Sequence, residues 1–148
     1  MIQVRNLTKR YGSLLAVDDI TFDVDRGGVV GFLGPNGAGK TTTLRILSCY
    51  HPATSGSAGI AGFDVFRDSM EVRRRVGYLP ESTPLYPEMR VREYLHFRGK
   101  LRGLTHPQRV DAIRRVSERC WLGEFVDRPI GQLSKGMRQR VGLADAIM

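Results

Sequence analysis

The chain has 148 residues, of which 41% are hydrophobic and 26% are charged. This balance is typical of one ordinary globular domain and excludes disordered and fibrous proteins. Lysine and arginine number 23 against 15 aspartates and glutamates, a formal charge of +8, so an anionic partner is a reasonable expectation.

The first third of the chain has the pattern of two strands joined by a turn, followed by a third strand and a helix. Residues 2–25 give strand, turn, strand, with the turn at Tyr11–Ser13 and strict alternation over Ile20–Asp25. Val29–Leu33 is apolar without alternation, which predicts a strand buried on both faces, as in a parallel sheet. The apolar spacing over Thr41–Tyr50 predicts a buried helix.

Further short strands are predicted around Ile60 and Val65, and another over Val76–Leu79, which Pro80 closes. Helical spacing then dominates, over residues 91–101, 110–116 and 135–148. No glycine, proline or basic last turn marks an end of the final helix, so we expect the chain to be a fragment of something longer.

The positive charge is concentrated in residues 67–148, with 17 basic and 10 acidic side chains against 6 and 5 in residues 1–66. A charged partner is therefore expected to dock on the second half. No signal peptide and no apolar run near the ~18 residues of a membrane helix is present, so another chain or a missing segment would have to cross a bilayer. Cys49 and Cys120 are too few for a disulfide framework, which fits a reducing cytosol.

The strongest motif lies between the predicted strand 29–33 and the following helix. It matches the phosphate-binding pattern of glycine, four residues, glycine, lysine and serine or threonine. Its residues are Gly34, Pro35, Asn36, Gly37, Ala38, Gly39, Lys40 and Thr41, followed by Thr42. We refer to residues 34–41 as the phosphate loop.

The residue types of the phosphate loop suit a di- or triphosphate. Glycines 34, 37 and 39 let the backbone curl so that consecutive N–H groups point inward, and the helix N-terminus adds its positive dipole end. Lys40 supplies a point charge for the β and γ oxygens, and the Thr41 hydroxyl can be a Mg²⁺ ligand. The motif predicts nucleotide binding but does not indicate which kind of nucleotide-binding protein this is.

The chain resembles the ATP-binding subunits of ABC transporters from residue 2 to its end. Residues 133–144, Leu-Ser-Lys-Gly-Met-Arg-Gln-Arg-Val-Gly-Leu-Ala, resemble the signature segment of that family, usually Leu-Ser-Gly-Gly-Gln before a basic helix. The resemblance implies that Ser134 and Gly136 bind ATP in trans, on the nucleotide that a paired subunit holds. Lys135 and Met137 depart from the usual glycine and glutamine, which adds a charge and removes an amide.

The resemblance assigns two further residues. Tyr11 occupies the position of the aromatic side chain that stacks on adenine. Glu81 stands where the family commonly has the glutamine that touches Mg²⁺ and the attacking water, so the resemblance implies a metal-binding and catalytic role for Glu81 beside Lys40. A carboxylate keeps the oxygen ligand but adds a negative charge.

The implied fold is α/β, a P-loop NTPase with an N-terminal antiparallel β portion, a parallel core sheet and a helical subdomain, incomplete at its C-terminus. Within one partial domain, residues 1–83 would form the β-rich nucleotide-binding core, 84–131 the helical subdomain, and 132–148 the signature segment and its helix.

The implied function is coupling of ATP binding and hydrolysis, with Mg²⁺, to transport by a transmembrane permease at the cytoplasmic face of the cell membrane. Pairing with a second copy or another ATP-binding subunit is expected, and nucleic acid is not an expected partner. The family's Asp-Glu strand after the signature segment is absent from the 148 residues, so we expect this polypeptide to be catalytically incomplete.

Three alternatives remain open from the sequence. The basic second half would also suit a soluble ABC-type ATPase acting on nucleic acid or ribosomes. A small-molecule kinase shares the phosphate loop but usually begins with it, whereas 33 residues precede it here. The third alternative is a truncated binding module without catalysis.

Overall fold

A computed structural model describes residues 1–148, which divide into two compact units, residues 1–76 and 77–148. No helix in either unit is both long enough and apolar enough to cross a membrane.

The first unit is a four-stranded antiparallel sheet with two helices. Strands β1 and β2 form a long hairpin in which Ile2 lies opposite Val24, and the sheet order is β2-β1-β3-β4. The strands are β1 Ile2–Tyr11, β2 Leu14–Val24, β3 Ser55–Ile60 and β4 Phe63–Asp64, and the helices are α1 Lys40–Leu47 and α2 Ser69–Arg73.

The core of the first unit lies between this sheet and its helices. Val4 and Leu7 of β1 are fully buried and pack with Ile46 of α1. They lie three residues apart, where strict alternation would place them on opposite faces, and the irregular register between them lets both side chains face the core. Ala58 of β3 and Val72 of α2 complete the contact from the other elements. Burial of these side chains anchors α1, and with it the segment that precedes α1, to the sheet.

The predicted parallel strand Val29–Leu33 was wrong, since this segment joins no strand. Val29 is 100% exposed and Leu33 is 92% exposed, and only Phe32 packs on the sheet, with its ring 5.7 Å from that of Phe22. A strand needs a hydrogen-bonded neighbour, and the strands of the antiparallel sheet bond only to one another. The parallel core sheet is therefore not formed among these residues.

The predicted strand Val76–Leu79 was also wrong, because the backbone there packs on a helix instead of a ladder. A Cβ built on Gly77 would lie 2.0 Å from the Ala146 carbonyl oxygen. The hairpin, the strand near Ile60 and the helix after the phosphate loop were predicted correctly, although that helix ends at Leu47 and not at Tyr50.

The second unit is helical, as its apolar spacing predicts. It contains α3 Val91–Leu101, α4 His106–Arg119, a 3₁₀ turn at Ile130–Gln132, and α5 Lys135–Ile147. Its core includes Leu95, Ile113, Leu122 and Val141, all at most 5% exposed. The buried face of α5 therefore follows the spacing seen in the sequence.

Two helix starts in the second unit are fixed by local hydrogen bonds. The backbone N–H of Thr105 donates to the Gln108 side chain at 2.8 Å at the start of α4. Ser134 caps α5, since its Oγ accepts from the backbone N–H of Met137 at 3.2 Å. Both caps involve residues three apart, so they form from local sequence.

Candidate functional site

The phosphate loop leads directly into α1, whose first residue is Lys40. Lys40 Nζ donates to the Gly34 carbonyl at 2.6 Å and to the Pro35 carbonyl at 2.7 Å. The backbone N–H of Ala38 donates to the same Pro35 carbonyl at 3.2 Å. The lysine thus folds back over the loop and holds it curled.

Gly39 is the residue that makes the junction with α1 possible. It is the N-cap at φ 81°, a left-handed conformation, and a Cβ there would lie 2.4 Å from the Ala16 carbonyl oxygen of β2. Thr43, 1% exposed, donates its hydroxyl to the Gly39 carbonyl at 3.0 Å, which pins the junction from inside.

The first turn of α1 is open to a ligand. Gly39 has no side chain to cap the helix, so no side-chain oxygen accepts from the first-turn N–H groups. Thr41 is exposed, Thr42 is half-buried, and a Cβ on Gly37 would meet nothing within 4 Å. Exposed N–H donors, a lysine and an uncovered backbone are the donor set that a polyphosphate needs.

Each unit, taken by itself, offers one oxygen donor of the type that Mg²⁺ prefers. No group of three or more His, Cys, Asp or Glu side chains could hold a metal by itself. The Thr41 hydroxyl and the Glu81 carboxylate are hard oxygen donors and both residues are exposed. Mg²⁺ usually takes one or two such protein oxygens together with phosphate oxygens and water.

Tyr11, at the end of β1, is 41% exposed. Its ring makes an edge contact with His51 at 5.9 Å between centroids, and Lys9 Nζ lies 4.9 Å from the ring centroid. The ring is therefore accessible for stacking, and its aromatic and cation–π contacts are with these two residues.

In the second unit, the N-terminus of α5 presents Ser134, Lys135 and Gly136 to solvent. The Ser134 hydroxyl already accepts from Met137, and a Cβ on Gly136 would meet nothing within 4 Å. The start of this 13-residue helix is thus uncovered, with a positive dipole end and a lysine beside it.

Glu81 lies against α5. The side-chain amide of Gln139 donates to the backbone carbonyl of Glu81 at 2.6 Å, which ties residue 81 to the signature segment. The two segments approach closely because residue 142 is glycine, where a Cβ would lie 2.4 Å from Thr83 Cγ2. The sequence motifs did not indicate this proximity of Glu81 and the signature segment.

Sequence reasoning also missed a polar cluster around Asp145, whose side chain is 14% exposed. Arg98 Nε and Tyr94 Oη donate to this carboxylate at 3.0 and 3.2 Å, and Arg102 donates to the Asp145 backbone carbonyl at 2.7 Å. Burial first, and then the neighbouring carboxylate, raise the pKa of Tyr94 to about 12. Asp145 is the only acidic residue of the basic segment 132–148, which was the available signal.

The comparisons with known proteins agree on one family. The family model described as ABC transporter matches residues 17–148. The linearmycin resistance ATP-binding protein LnrL of Bacillus subtilis (strain 168) is 34% identical over 100% of this chain and 48% of that protein. The bacitracin transport ATP-binding protein BcrA of Bacillus licheniformis is 38% identical over 100% of this chain and 47% of that protein. The chain thus spans about half the length of these relatives.

Solved structures extend the similarity to the fold. The dimeric structure of MJ0796, a bacterial ABC transporter cassette, matches with a TM-score of 0.87 and 25% identity over 99% of this chain and 69% of that chain. The dimer of the same cassette in a post-hydrolysis state, bound to ADP and Pi, matches with a TM-score of 0.85. The predicted fold class, the α/β fold of a P-loop NTPase, is therefore confirmed.

Proposed function

Because the chain belongs to the ABC transporter family, we propose that it is the ATP-binding part of a transporter. In the complete protein, ATP binding and hydrolysis would be coupled to movement of a separate membrane-spanning partner. LnrL and BcrA are named for linearmycin resistance and for bacitracin transport, which supports an export-type system for this chain as well.

The observation that carries the proposal is the curled, uncapped phosphate loop at the start of α1. Its backbone N–H groups hold the phosphate tail, and Lys40 exchanges the Gly34 and Pro35 carbonyls for phosphate oxygens. This exchange replaces two neutral acceptors by charged ones, which are the stronger partners of an ammonium group. The phosphate loop, with Thr42 after it, is thereby the binding site for the nucleotide of its own subunit.

Glu81 and Tyr11 complete the proposed site together with Thr41 of the loop. Thr41 and Glu81 provide the protein oxygens for Mg²⁺, and Mg²⁺ supplies charge neutralisation on the phosphates when it is bound. Glu81 also orients water near the γ-phosphate, which makes it a catalytic residue beside Lys40. The exposed Tyr11 ring stacks on adenine. For this, the cation–π contact between the ring and the Lys9 ammonium group must be broken.

We propose that the chain pairs head to tail with a second ATP-binding subunit. The dimeric MJ0796 cassette supports this arrangement. In the pair, the Ser134 hydroxyl and the Gly136 N–H, both exposed at the start of α5, contact the γ-phosphate held by the partner. A transmembrane permease subunit and a peripheral position at the cytoplasmic face of the membrane belong to the same proposal.

The nucleic-acid alternative has only the net charge of the second half in its favour, whereas LnrL and BcrA are named as ATP-binding proteins of resistance and transport. Several arginines of that half form ion pairs with carboxylates, which leave its net charge unchanged. These pairs join Arg74 and Arg75 to Glu71, Arg92 to Asp127, Arg98 and Arg102 to Asp145, and Arg114 and Arg115 to Asp111. Steep salt dependence of binding to a nucleic acid would revive this alternative.

Nucleotide binding tests the proposal directly. A fluorescent ATP analogue in magnesium buffer is titrated with the 148-residue chain and with Lys40→Ala. A charge-assisted hydrogen bond contributes about 1.5–3 kcal/mol, so Lys40→Ala is expected to weaken binding roughly 10- to 100-fold. Lys100→Ala, at an exposed position in α3, is the matched control and should bind normally. Equal affinity of Lys40→Ala and the unsubstituted chain would refute the proposal.

For hydrolysis, we propose that these 148 residues by themselves act slowly or not at all. They contain Lys40, Thr41 and Glu81 but no Asp-Glu pair after the signature segment. Loss of a water-orienting group and a metal-holding group removes several powers of ten in rate. Steady phosphate release above that of Lys40→Ala would contradict this part of the proposal.

A further inference from the structure

The Tyr11 ring lies beside a short stretch of chain after α1, residues 50–54, which we call the connecting segment. The His51 ring contacts the Tyr11 ring at 5.9 Å between centroids, with 79° between the ring planes. Lys9 Nζ, 4.9 Å from the Tyr11 centroid, donates to the Pro52 carbonyl at 2.7 Å. Perpendicular contacts of this kind stabilise aromatic pairs, so the connecting segment restrains the orientation of the ring.

The connecting segment is bound to the end of β1. The backbone N–H of Thr54 donates to the Thr8 carbonyl at 2.9 Å. The backbone N–H of Arg10 donates to the Thr54 hydroxyl oxygen, also at 2.9 Å. With the bond from Lys9 to Pro52, the three residues directly before Tyr11 are all joined to the segment. The backbones that carry the two rings are therefore held together.

The connecting segment is also bound to α1. The backbone N–H groups of Tyr50 and His51 both donate to the Arg45 carbonyl, at 2.8 and 3.3 Å. The His51 ring is half-buried and contacts the Tyr50 ring at 4.9 Å between centroids. Since α1 begins at Lys40, one helix joins the phosphate loop to the residue that contacts Tyr11. All of these residues belong to the first unit.

We propose that His51 is a positioning residue that holds the Tyr11 ring for adenine, and so sets how strongly the site prefers ATP to an inorganic triphosphate. The proposal rests on the proposed function, in which Tyr11 stacks on adenine. Adenine takes the place of the Lys9 ammonium group against the ring, and the His51 contact stays. A ring that is already restrained loses less conformational freedom when the base binds.

A comparison of two ligands tests the role of His51. Calorimetry measures the Kd of ATP and of inorganic tripolyphosphate, in magnesium buffer, for the unsubstituted chain, His51→Ala, Tyr11→Ala and the double variant. From the usual strength of an aromatic pair, His51→Ala should weaken ATP binding roughly 2- to 10-fold. The Kd of tripolyphosphate should not change, because this ligand has no base. In the Tyr11→Ala background, His51→Ala should have no further effect on ATP.

Two variants serve as controls. His51→Phe keeps an aromatic ring beside Tyr11 and should bind ATP like the unsubstituted chain. His106→Ala removes a histidine from the exposed start of α4, in the second unit, and should do the same. Binding of tripolyphosphate and circular dichroism verify that each variant keeps a folded phosphate loop.

The outcomes distinguish this inference from the proposed function. An unchanged ATP affinity in His51→Ala, an equal weakening for both ligands, an equal loss in both backgrounds, or no recovery in His51→Phe overturns the role of His51. ATP binding by the unsubstituted chain upholds the proposed function in each of these cases. If the unsubstituted chain does not bind ATP, the proposed function itself fails, and this inference with it.

Discussion

Replacement of Gly39 by alanine should destabilise the first unit more than the same replacement at Gly37. Both glycines have left-handed backbones, with φ at 81° and 86°, so the conformational cost of a Cβ, about 1–2 kcal/mol, is nearly equal at the two positions. Their surroundings differ. A Cβ at residue 39 lies 2.4 Å from the Ala16 carbonyl oxygen and 3.1 Å from Val17 Cγ2, whereas at residue 37 it meets nothing within 4 Å.

The difference between the two variants isolates the clash with β2. Forcing an extra methyl group into a packed site costs about 1–3 kcal/mol, so Gly39→Ala should lose that much more unfolding free energy than Gly37→Ala. Alanine also reduces the freedom of the unfolded chain by a similar amount in both variants, so this contribution cancels in the comparison.

Urea unfolding followed by circular dichroism measures the loss of stability, and titration with a fluorescent ATP analogue measures binding. Gly37→Ala is expected to weaken binding while largely retaining stability, since its methyl group would occupy space intended for phosphate. Equal losses of unfolding free energy in the two variants would refute the reasoning, because the clash with Ala16 would then have no consequence.

Three further outcomes are expected. Asp145→Asn should lose about 1–3 kcal/mol of unfolding free energy in urea, because it removes the charged partner of two arginines. The arginine side chains are about one-third exposed, which keeps the loss below that of a fully buried pair. An unchanged urea midpoint would contradict this expectation. The pKa of Tyr94 is about 12 in the folded chain against 10 for an ordinary tyrosine, so its contribution to stability should be complete below pH 10 and decline as the pH rises toward 12. Tyr94→Phe should flatten that decline. Absorbance at 295 nm should show that one tyrosine ionises at a higher pH than the others. Burial raises the pKa of the Cys49 and Cys120 thiols, so both should react slowly with a disulfide reagent at neutral pH. Half-buried Cys49 should react before Cys120, which is 1% exposed. Faster labelling of Cys120 would contradict this order and show that the helical core opens.

The phosphate loop could be identified from the sequence because its conformation depends on eight consecutive residues. Lys40 acts on neighbours within six positions of the chain, as its bonds to Gly34 and Pro35 show. The close approach of Gly39 to Ala16 of β2 joins distant segments and could not be read from the motif. The Ser134 cap of α5 is equally local. The roles given to Tyr11, Glu81 and Gly136 stay predictions, because they depend on a bound nucleotide.

The predicted strand Val29–Leu33 shows where local pattern is insufficient. Its apolar residues suit a buried strand, but a strand forms only where another segment offers hydrogen bonds along its edge, and no strand of the antiparallel sheet does so. The same residues are therefore exposed, with Val29 fully accessible to solvent. Exposed apolar side chains of this kind favour aggregation of the 148-residue polypeptide.

Turns, helix caps and hydrophobic periodicity act within about one turn of chain, so the curled loop, the helix starts and the buried helix faces could be predicted from the order of the residues. The cleft that Glu81 shares with Lys135 and the pairing of Asp145 with Arg98 join segments about 50 residues apart, and they are visible only in the folded chain. Such contacts depend on how the helices pack. The sequence shows a glycine at position 142 and a single carboxylate at Asp145, but it does not indicate which segments they contact.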